Sequence, residues 1–303
     1  MHPILIKVRS YLAQANRGEA SMPPEMIEKF KEMCGTALDK QFNSPPRKPT
    51  IRMSGIGQPL CKQQMAMAGN EEEAEYNLKM KFLFGDVIEA MAVVIMEAAG
   101  VNITSEQEGV TLDVGDVKLK GTLDVVIESN GEEAVYDVKS ASPYAFDSKF
   151  SDFGGFHAIH EDDPFGYIAQ GYGYAEAKGL PFGGWIAINK VNGEWAVAVP
   201  PLVDREYRAE ALATIATNVE AIVSGAPFER CFTETTEVHP KMHPNKGEPT
   251  GNMLLPKECG WCGHKGLCWP SAEQLPKATS KAKSPPKTWY TKHTYDGPGG
   301  ASR

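Results

Sequence analysis

Residues 121–140 read GTLDVVIESNGEEAVYDVKS and contain two strand signals separated by a turn signal. Two apolar runs, at 117–127 and 134–139, have the β-branched composition that is typical of strands. Residues 129–131 (SNG) lie between them and form a turn signal. The stretch therefore predicts two neighbouring strands joined by a tight turn.

The sequence on either side adds helices and further strands to this pair. The predicted helices are two short ones within residues 1–43, one that begins in the acidic run at 70–75 and ends near residue 99, one at 167–178 and one at 204–224. Further strands are predicted at 110–114, 184–190 and 194–199, with a loop at 140–163. Helices and strands in this order predict an α+β or mixed α/β core.

Composition, charge and the lack of long apolar runs argue against a membrane protein, a secreted protein or a protein that coats nucleic acid. The chain has 303 residues, of which 42% are hydrophobic and 23% are charged, as in ordinary globular proteins. No apolar run approaches the ~20 residues of a membrane helix, and the N-terminus has no secretory signal pattern. A net charge of -8 argues against coating nucleic acid by bulk charge, although an enzyme with a local basic path remains possible. We expect a cytoplasmic protein from the reducing interior of a bacterial or phage-infected cell.

Three acids and one lysine form the strongest candidate for a chemical site. Asp137 and Lys139 are two apart on a strand, so they share a face, and antiparallel pairing would bring Asp124 beside Asp137. Glu89 would come from a helix packed against the sheet. Three carboxylates beside a lysine suit a hard cation such as Mg²⁺ or Mn²⁺. An isolated Asp-x-Lys pair, by contrast, usually lies on the solvent-exposed face of a strand and has no catalytic role.

Four motifs follow one another in a fixed order: Gly85-x-x-x-Glu89, Gly121-x-x-Asp124, Asp137-x-Lys139-Ser140 and Tyr167-x-x-Gln170-x-x-x-Tyr174. This order resembles the PD-(D/E)XK nuclease superfamily, in its RecB-like branch. Glu89 stands where many members carry histidine, and Leu123 stands where the superfamily name has proline. The resemblance covers residues 54–270. It implies an α/β fold with a restriction-endonuclease-like core, in which helices flank a central mixed sheet.

The resemblance also implies a function and a role for each residue. Asp124, Asp137 and Glu89 would bind Mg²⁺ or Mn²⁺, Lys139 would activate or orient water, and Gln170 and Tyr174 would contact the DNA backbone or brace the ligands. The expected activity is that of an exonuclease on DNA single strands or duplex ends, in recombination, repair or phage replication. Because no nucleotide-binding Gly-x4-Gly-Lys-Ser/Thr loop occurs, any unwinding would come from a helicase or recombination partner.

Three residues of the predicted loop at 140–163 are a candidate contact surface for a substrate strand. They are Lys149, Phe150 and Phe156, which offer one basic and two aromatic groups.

Six cysteines in a chain without an export signal indicate metal binding rather than disulfides. Cys61 precedes the nuclease motifs, whereas Cys259, Cys262 and Cys268 follow them. This layout resembles RecB-like nucleases with an iron–sulfur cluster, which include the CRISPR-associated adaptation nuclease and the nuclease domain of AddB. It implies a structural 4Fe–4S cluster that clasps the N- and C-terminal segments of the nuclease domain.

Zinc is the alternative metal, held by Cys259, Cys262, His264 and Cys268 without Cys61. Cys34 and Cys231 are interpreted as ordinary buried or free thiols, and participation of Cys231 in the site stays open. The pair His239 and His243 is interpreted as a plain surface feature of a polar loop.

The predicted organisation has three parts: a helical segment at 1–53, a nuclease domain with its cluster at 54–270, and a basic, disordered tail at 271–303. Two other classes of protein remain as alternatives to a nuclease. One is a non-catalytic DNA-binding or assembly subunit that keeps the fold, and the other is a zinc-ribbon interaction protein.

Overall fold

A computed structural model describes residues 1–45, 49–69 and 76–295. The helices are α1 (Pro3–Asn16), α2 (Pro24–Phe42), α3 (Leu60–Met67), α4 (Leu78–Ala98), α5 (Pro143–Ala145), α6 (Gly155–Glu161), α7 (Tyr167–Lys178), α8 (Arg205–Val223), α9 (Lys257–Gly260) and α10 (Lys265–Cys268). The strands are β1 (Asn102–Val114), β2 (Val117–Ser129), β3 (Glu132–Ala141), β4 (Phe182–Asn189), β5 (Trp195–Ala198), β6 (Thr235–Val238), β7 (Pro249–Leu254), β8 (Glu273–Pro276) and β9 (Lys287–Lys292). The acidic helix start predicted at 70–75 lies outside the described residues.

The chain divides into two compact units. The first unit contains Met1–Gln58 and Glu75–Gly225, and the second contains Pro59–Ala74 and Ala226–Arg303. This division differs from the predicted boundaries at residues 53 and 270, because the N-terminal helices share a core with the sheet of the first unit. Among the described residues, no helix has the length and apolar character that crossing a bilayer requires.

The first unit contains a five-stranded sheet in the order β1-β2-β3-β4-β5. Its strand pairs are antiparallel except β3 with β4, which are parallel. In the β2–β3 pair Val125 lies across from Tyr136, so the register places Asp124 across from Asp137. The predicted α/β architecture, a mixed sheet flanked by helices, is confirmed.

Each face of this sheet carries its own apolar core, because side chains alternate along a strand. On one face, Val135 and Trp185 pack with Tyr172 of α7 and Ile215 of α8. On the other face, residues from β2, β3 and β4 pack against α1 and α4; they include Val125, Val138, Ile186, Val8 and Val93. The N-terminal helices therefore cover one face of the sheet.

The segment predicted as a loop at 140–163 is largely helical. It contains α5, a π-helical turn at Phe146–Phe150, and α6. Phe150 and Phe156 are each only 4% exposed, and the Phe156 ring lies 4.9 Å from that of Tyr207. Lys149 pairs with Asp162, at 3.2 Å from Nζ to Oδ2. The expectation that Phe150 and Phe156 contact a substrate strand is therefore wrong, because both aromatic rings belong to the core, whereas contact by Lys149 stays a prediction.

The second unit contains an antiparallel sheet in the order β6-β7-β9-β8. Tyr290 of β9 is 1% exposed, and its hydroxyl donates to Oε1 of the buried Glu237 at 3.1 Å. Asn252 is also fully buried, and its Nδ2 donates to Oε2 of Glu237 at 2.8 Å. Because β8 and β9 lie within 271–295, the expectation of disorder is wrong there. The basic composition of this segment does not indicate strands, because their buried residues are hydrogen-bonded to residues distant in sequence, as Tyr290 is to Glu237.

Candidate functional site

Two carboxylates meet at the centre of the first unit. Asp137 of β3 is 2% exposed, and Asp124 of β2 is half-buried. Oδ2 of Asp124 accepts a hydrogen bond from the Val138 backbone N–H at 2.7 Å, which turns this carboxyl toward β3. Burial raises the pKa of Asp124 well above its usual range, and the negative charges of Asp137 and Glu89 raise it further. The pairing of Asp124 with Asp137 that the sequence predicts is present in the structure.

The ammonium group of Lys139 has three contacts that hold it beside these acids. Its Nζ lies 2.6 Å from Asp137 Oδ2, donates to Gln170 Oε1 at 3.2 Å, and lies 4.6 Å from the centre of the Tyr167 ring. Burial alone lowers the pKa of Lys139, but the charges of Asp137, Tyr167 and Asp124 and the hydrogen bond to Asp137 together outweigh it, so the net shift is upward. Lys139 is therefore a permanent cation beside the carboxylates.

Helix α7 contributes Gln170 and Tyr174, one turn apart. Tyr174 is 3% exposed and shares a side-chain hydrogen bond with Gln170. Burial raises the pKa of Tyr174 to about 12, so its hydroxyl keeps its proton. The ring packs so closely on β2 that a Cβ at Gly121 would lie 2.6 Å from Tyr174 Cε1. The glycine of the Gly-x-x-Asp motif thus makes room for the tyrosine of α7.

Glu89 of α4 is the third carboxyl of the site, and together with Asp124 and Asp137 it forms the acidic group. Burial raises its pKa to about 7; Lys40 opposes this shift, whereas Asp137 and Asp86 add to it. A carboxyl with this pKa is partly protonated at neutral pH.

The sequence analysis missed Gln107, a residue of β1 that contacts Glu89. Its side-chain amide donates to Glu89 Oε1. The flanking register pairs are Glu106 with Val125 and Glu108 with Leu123, so Gln107 lies across from Asp124. Its φ of 46° is in the left-handed region, which non-glycine residues seldom adopt and which is concentrated at functional sites. No local sequence pattern marks such a position.

A cleft of about 660 Å³ opens onto this group. Its acidic and polar lining includes Glu89, Gln107, Asp124, Gln170 and Tyr174. Its basic lining consists of Lys40, Arg52, Lys118 and Lys120. Carboxylates and four cations in the lining of one cleft match a substrate that brings phosphate groups to a bound metal ion.

The structure brings together all six predicted site residues, but it forms no finished metal centre. Across residues 1–45, 49–69 and 76–295, no three His, Cys, Asp or Glu side chains are arranged as a set that could hold a metal ion. The donor chemistry of the acidic group nevertheless fits a hard dication, because carboxylate oxygens are its preferred ligands. Mutual repulsion also raises the pKa values of Glu89 and Asp124, and a bound cation would relieve that repulsion.

The second unit gathers five of the six cysteines. Cys259 is buried in a small apolar cluster with Leu255 and Trp269, next to Cys268. Burial raises the pKa of Cys259 to about 11, and Cys268, Cys262 and Cys61 raise it further by their charge. The four cysteines that the sequence singles out therefore interact with one another. Their thiol chemistry fits an iron–sulfur cluster or zinc.

Cys231, interpreted from the sequence as a free thiol, also lies in this group. Its Sγ accepts a hydrogen bond from the Cys61 backbone N–H at 3.0 Å. Cys34 lies in α2 of the first unit, where burial raises the pKa of its thiol. His264, the nitrogen ligand of the alternative zinc site, is 8% exposed, and its backbone N–H donates to Cys262 Sγ at 3.4 Å.

The two loop histidines are not a plain surface feature. His239 is 8% exposed, and its ring stacks on that of His243 with centroids 4.0 Å apart. Burial lowers the pKa of His243, and the neighbouring His239 and Lys281 lower it further. The pair is a packing contact of the second unit.

Comparison with known proteins identifies no family. No protein-family model matches the chain, and no curated protein matches it. One solved structure, described as the crystal structure of SSO0001, is similar over 78% of this chain and 94% of its own, with 13% identity and a TM-score of 0.43. A similarity of this extent carries no conclusion about fold or function.

Proposed function

We propose that this protein is a metal-dependent DNA nuclease of the PD-(D/E)XK superfamily, RecB-like branch. One observation carries the proposal: Asp124, which lines the cleft, lies across from Asp137 on paired strands, and Lys139 is ion-paired to Asp137. The β1-β2-β3 meander followed by helix α7 and the parallel strand β4 supports a restriction-endonuclease-like core.

The residues divide the work of phosphodiester hydrolysis among them. Asp124, Asp137 and Glu89 would hold Mg²⁺ or Mn²⁺, which lowers the pKa of a bound water and offsets charge on the phosphate. Lys139 donates hydrogen bonds to the attacking water or to a phosphate oxygen, and Gln170 keeps its ammonium in place.

The basic lining of the cleft supports DNA as the substrate. Lys40, Arg52, Lys118 and Lys120 can each contact a backbone phosphate without reading the sequence. Action on single strands or duplex ends, as an exonuclease in recombination, repair or phage replication, follows from the RecB-like resemblance, as does a helicase or recombination partner. A 4Fe–4S cluster on the cysteines would then be a structural clasp within the second unit.

The experiment is degradation of end-labelled linear DNA, single- and double-stranded, by the full chain with Mg²⁺ or Mn²⁺. EDTA should abolish the activity, and Ca²⁺ should permit binding with little cleavage, because its looser coordination positions water poorly. Asp124→Asn and Lys139→Ala should each lower the rate by about 100-fold or more, which is typical when a group that stabilises transition-state charge is removed.

Matched controls are available on the same sheet. Glu132→Gln changes an exposed acid on β3, and Lys190→Ala changes an exposed lysine just after β4. Both variants should cut DNA at the parent rate. If Asp124→Asn and Lys139→Ala are as fast as these controls, the nuclease proposal is wrong.

A further inference from the structure

The second unit holds more thiols than a four-coordinate metal group needs. Five cysteines interact there: Cys61, Cys231, Cys259, Cys262 and Cys268. Tetrahedral zinc and a 4Fe–4S cluster each take four protein ligands. One thiol is therefore in excess of the four ligands, and the contacts of Cys231 show that it and Cys61 are the two candidates for one ligand position.

Cys231 is the direct neighbour of Cys61. Its sulfur accepts the Cys61 backbone N–H at 3.0 Å although 170 residues separate them, and the two thiols are also hydrogen-bonded. Cys231 is exposed, whereas Cys61 is half-buried. The two sulfurs are therefore neighbours, although one belongs to α3 and the other to the segment before β6.

The residues on either side of Cys231 are tied to the same group. The Arg230 guanidinium lies 4.0 Å from the centre of the Trp269 ring and donates to the Cys268 carbonyl oxygen at 2.5 Å. Phe232 packs on the apolar cluster of Cys259 and Trp269. Because both neighbours are anchored, Cys231 is held beside the group by its own segment and does not depend on Cys61 for its place.

We infer that Cys231 is a metal ligand of the second unit that can take the position of Cys61. A metal bound to this group would be held by Cys259, Cys262, Cys268 and either Cys61 or Cys231. When Cys231 replaces Cys61, one metal–sulfur bond would be exchanged for another, the Cys231 thiol would lose its proton to water, the Cys61 thiolate would take one up, and no electron would be transferred. The inference rests on the proposed metal group and is independent of nuclease activity.

The test measures the metal content of the full chain after anaerobic purification, with iron, sulfide and zinc determined separately so that the two metal groups are distinguished. The variants are Cys61→Ala, Cys231→Ala, the double variant and Cys262→Ala, with Cys34→Ala as the control. Each of the first two should keep at least half of the parent's metal. The double variant should lose as much as Cys262→Ala, and the control should match the parent.

A second measurement covers the case in which the double variant fails to fold. Apoprotein of the parent and of each single variant is titrated with Co²⁺, whose thiolate charge-transfer absorption grows with the number of bound sulfurs. Cys61→Ala and Cys231→Ala should reach the parent's absorption per cobalt. Loss of metal from either single variant, a weaker absorption, a double variant that keeps its metal, or a parent without metal would each overturn the inference.

Discussion

Lys139 and Asp137 form an ion pair on the same face of β3, with Nζ 2.6 Å from Oδ2. Their side chains are 17% and 3% exposed, so water screens the pair weakly. Each charge therefore depends on the other, and Asp124 adds a second carboxyl to the same small volume. The pair stabilises a concentration of negative charge that would otherwise destabilise the folded protein.

Replacing this lysine tests that dependence. Lys139→Met keeps the aliphatic volume but leaves Asp137 buried without a cation, a change that typically costs about 3–5 kcal/mol. We expect a loss near the lower end of that range in EDTA at pH 8, and partial recovery with Mg²⁺. Urea unfolding measures both values, with Lys190→Met as the exposed control. A variant as stable as the parent in EDTA would contradict the ion pair's role.

Glu89 makes the stability of the metal-free protein depend on pH. The pKa of Glu89 is raised in the folded state to about 7. Glu89 therefore adds fully to the free energy of unfolding below its unfolded pKa, and this contribution is lost as the pH rises through about 7. Glu89→Gln removes this loss. We expect the metal-free variant to melt about 2–4 °C higher than the parent at pH 8, which corresponds to ~1 kcal/mol, and to match it at pH 4.

Thermal unfolding in EDTA at the two pH values gives this comparison. Glu132→Gln serves as the matched control, because Glu132 is an exposed acid. An equal melting temperature for Glu89→Gln and parent at pH 8 would show that the fold does not raise the pKa of Glu89.

Gln107 should act as a positioning residue for Glu89. Gln107→Leu removes the amide that donates to Glu89 but keeps the side-chain size. We expect weaker Mg²⁺ affinity by about 10-fold, the lower end for outer partners of metal ligands, with the rate at saturating Mg²⁺ little changed. Mg²⁺ titration of DNA cleavage separates the two effects.

Gln107→Asn provides the rescue arm of this experiment. Asparagine retains the amide and tolerates the left-handed backbone that Gln107 adopts with φ of 46°. It should recover part of the lost affinity. If Gln107→Leu and the parent have the same Mg²⁺ dependence, the hydrogen bond does not position Glu89.

Gly121 is required by the packing of Tyr174 rather than by a turn. A Cβ there would lie 2.6 Å from Tyr174 Cε1 and 2.9 Å from Met53 Cβ, so Gly121→Ala forces a shift at the centre of the first unit. We expect a loss of about 1–3 kcal/mol in urea unfolding, as for overpacked cores. Gly109→Ala on β1 is the control, because a Cβ there meets nothing within 4 Å. Equal stabilities of the two variants would contradict this account.

The sequence predicts the part of the site that depends on local pairing. The turn at 129–131 fixes the β2–β3 register, and with it the meeting of Asp124 and Asp137. The i, i+4 spacing likewise predicts that Gln170 and Tyr174 share a face of α7. Both inferences need only the period of a strand or a helix.

The missed features depend on contacts between distant segments. Phe150 and Phe156 stand in a stretch with loop-like composition, and their burial becomes visible only with Trp185 and Tyr207 in place. Gln107 lies in a strand, and its left-handed backbone has no local signal. These positions are set by tertiary packing, which overrides local preference.

The parallel pairing of β3 with β4 affects the order in which the site assembles during folding. Asp124 and the Val138 amide are 14 residues apart, so closing the hairpin brings them together at a small loss of chain entropy. Lys139 and Gln170 are 31 residues apart, and their contact requires α7 to cross the sheet first. We expect Asp124 and Asp137 to come together early in folding and α7 to pack on the sheet later. Substitutions in the connection between β3 and β4 should therefore slow completion of the site more than formation of the hairpin.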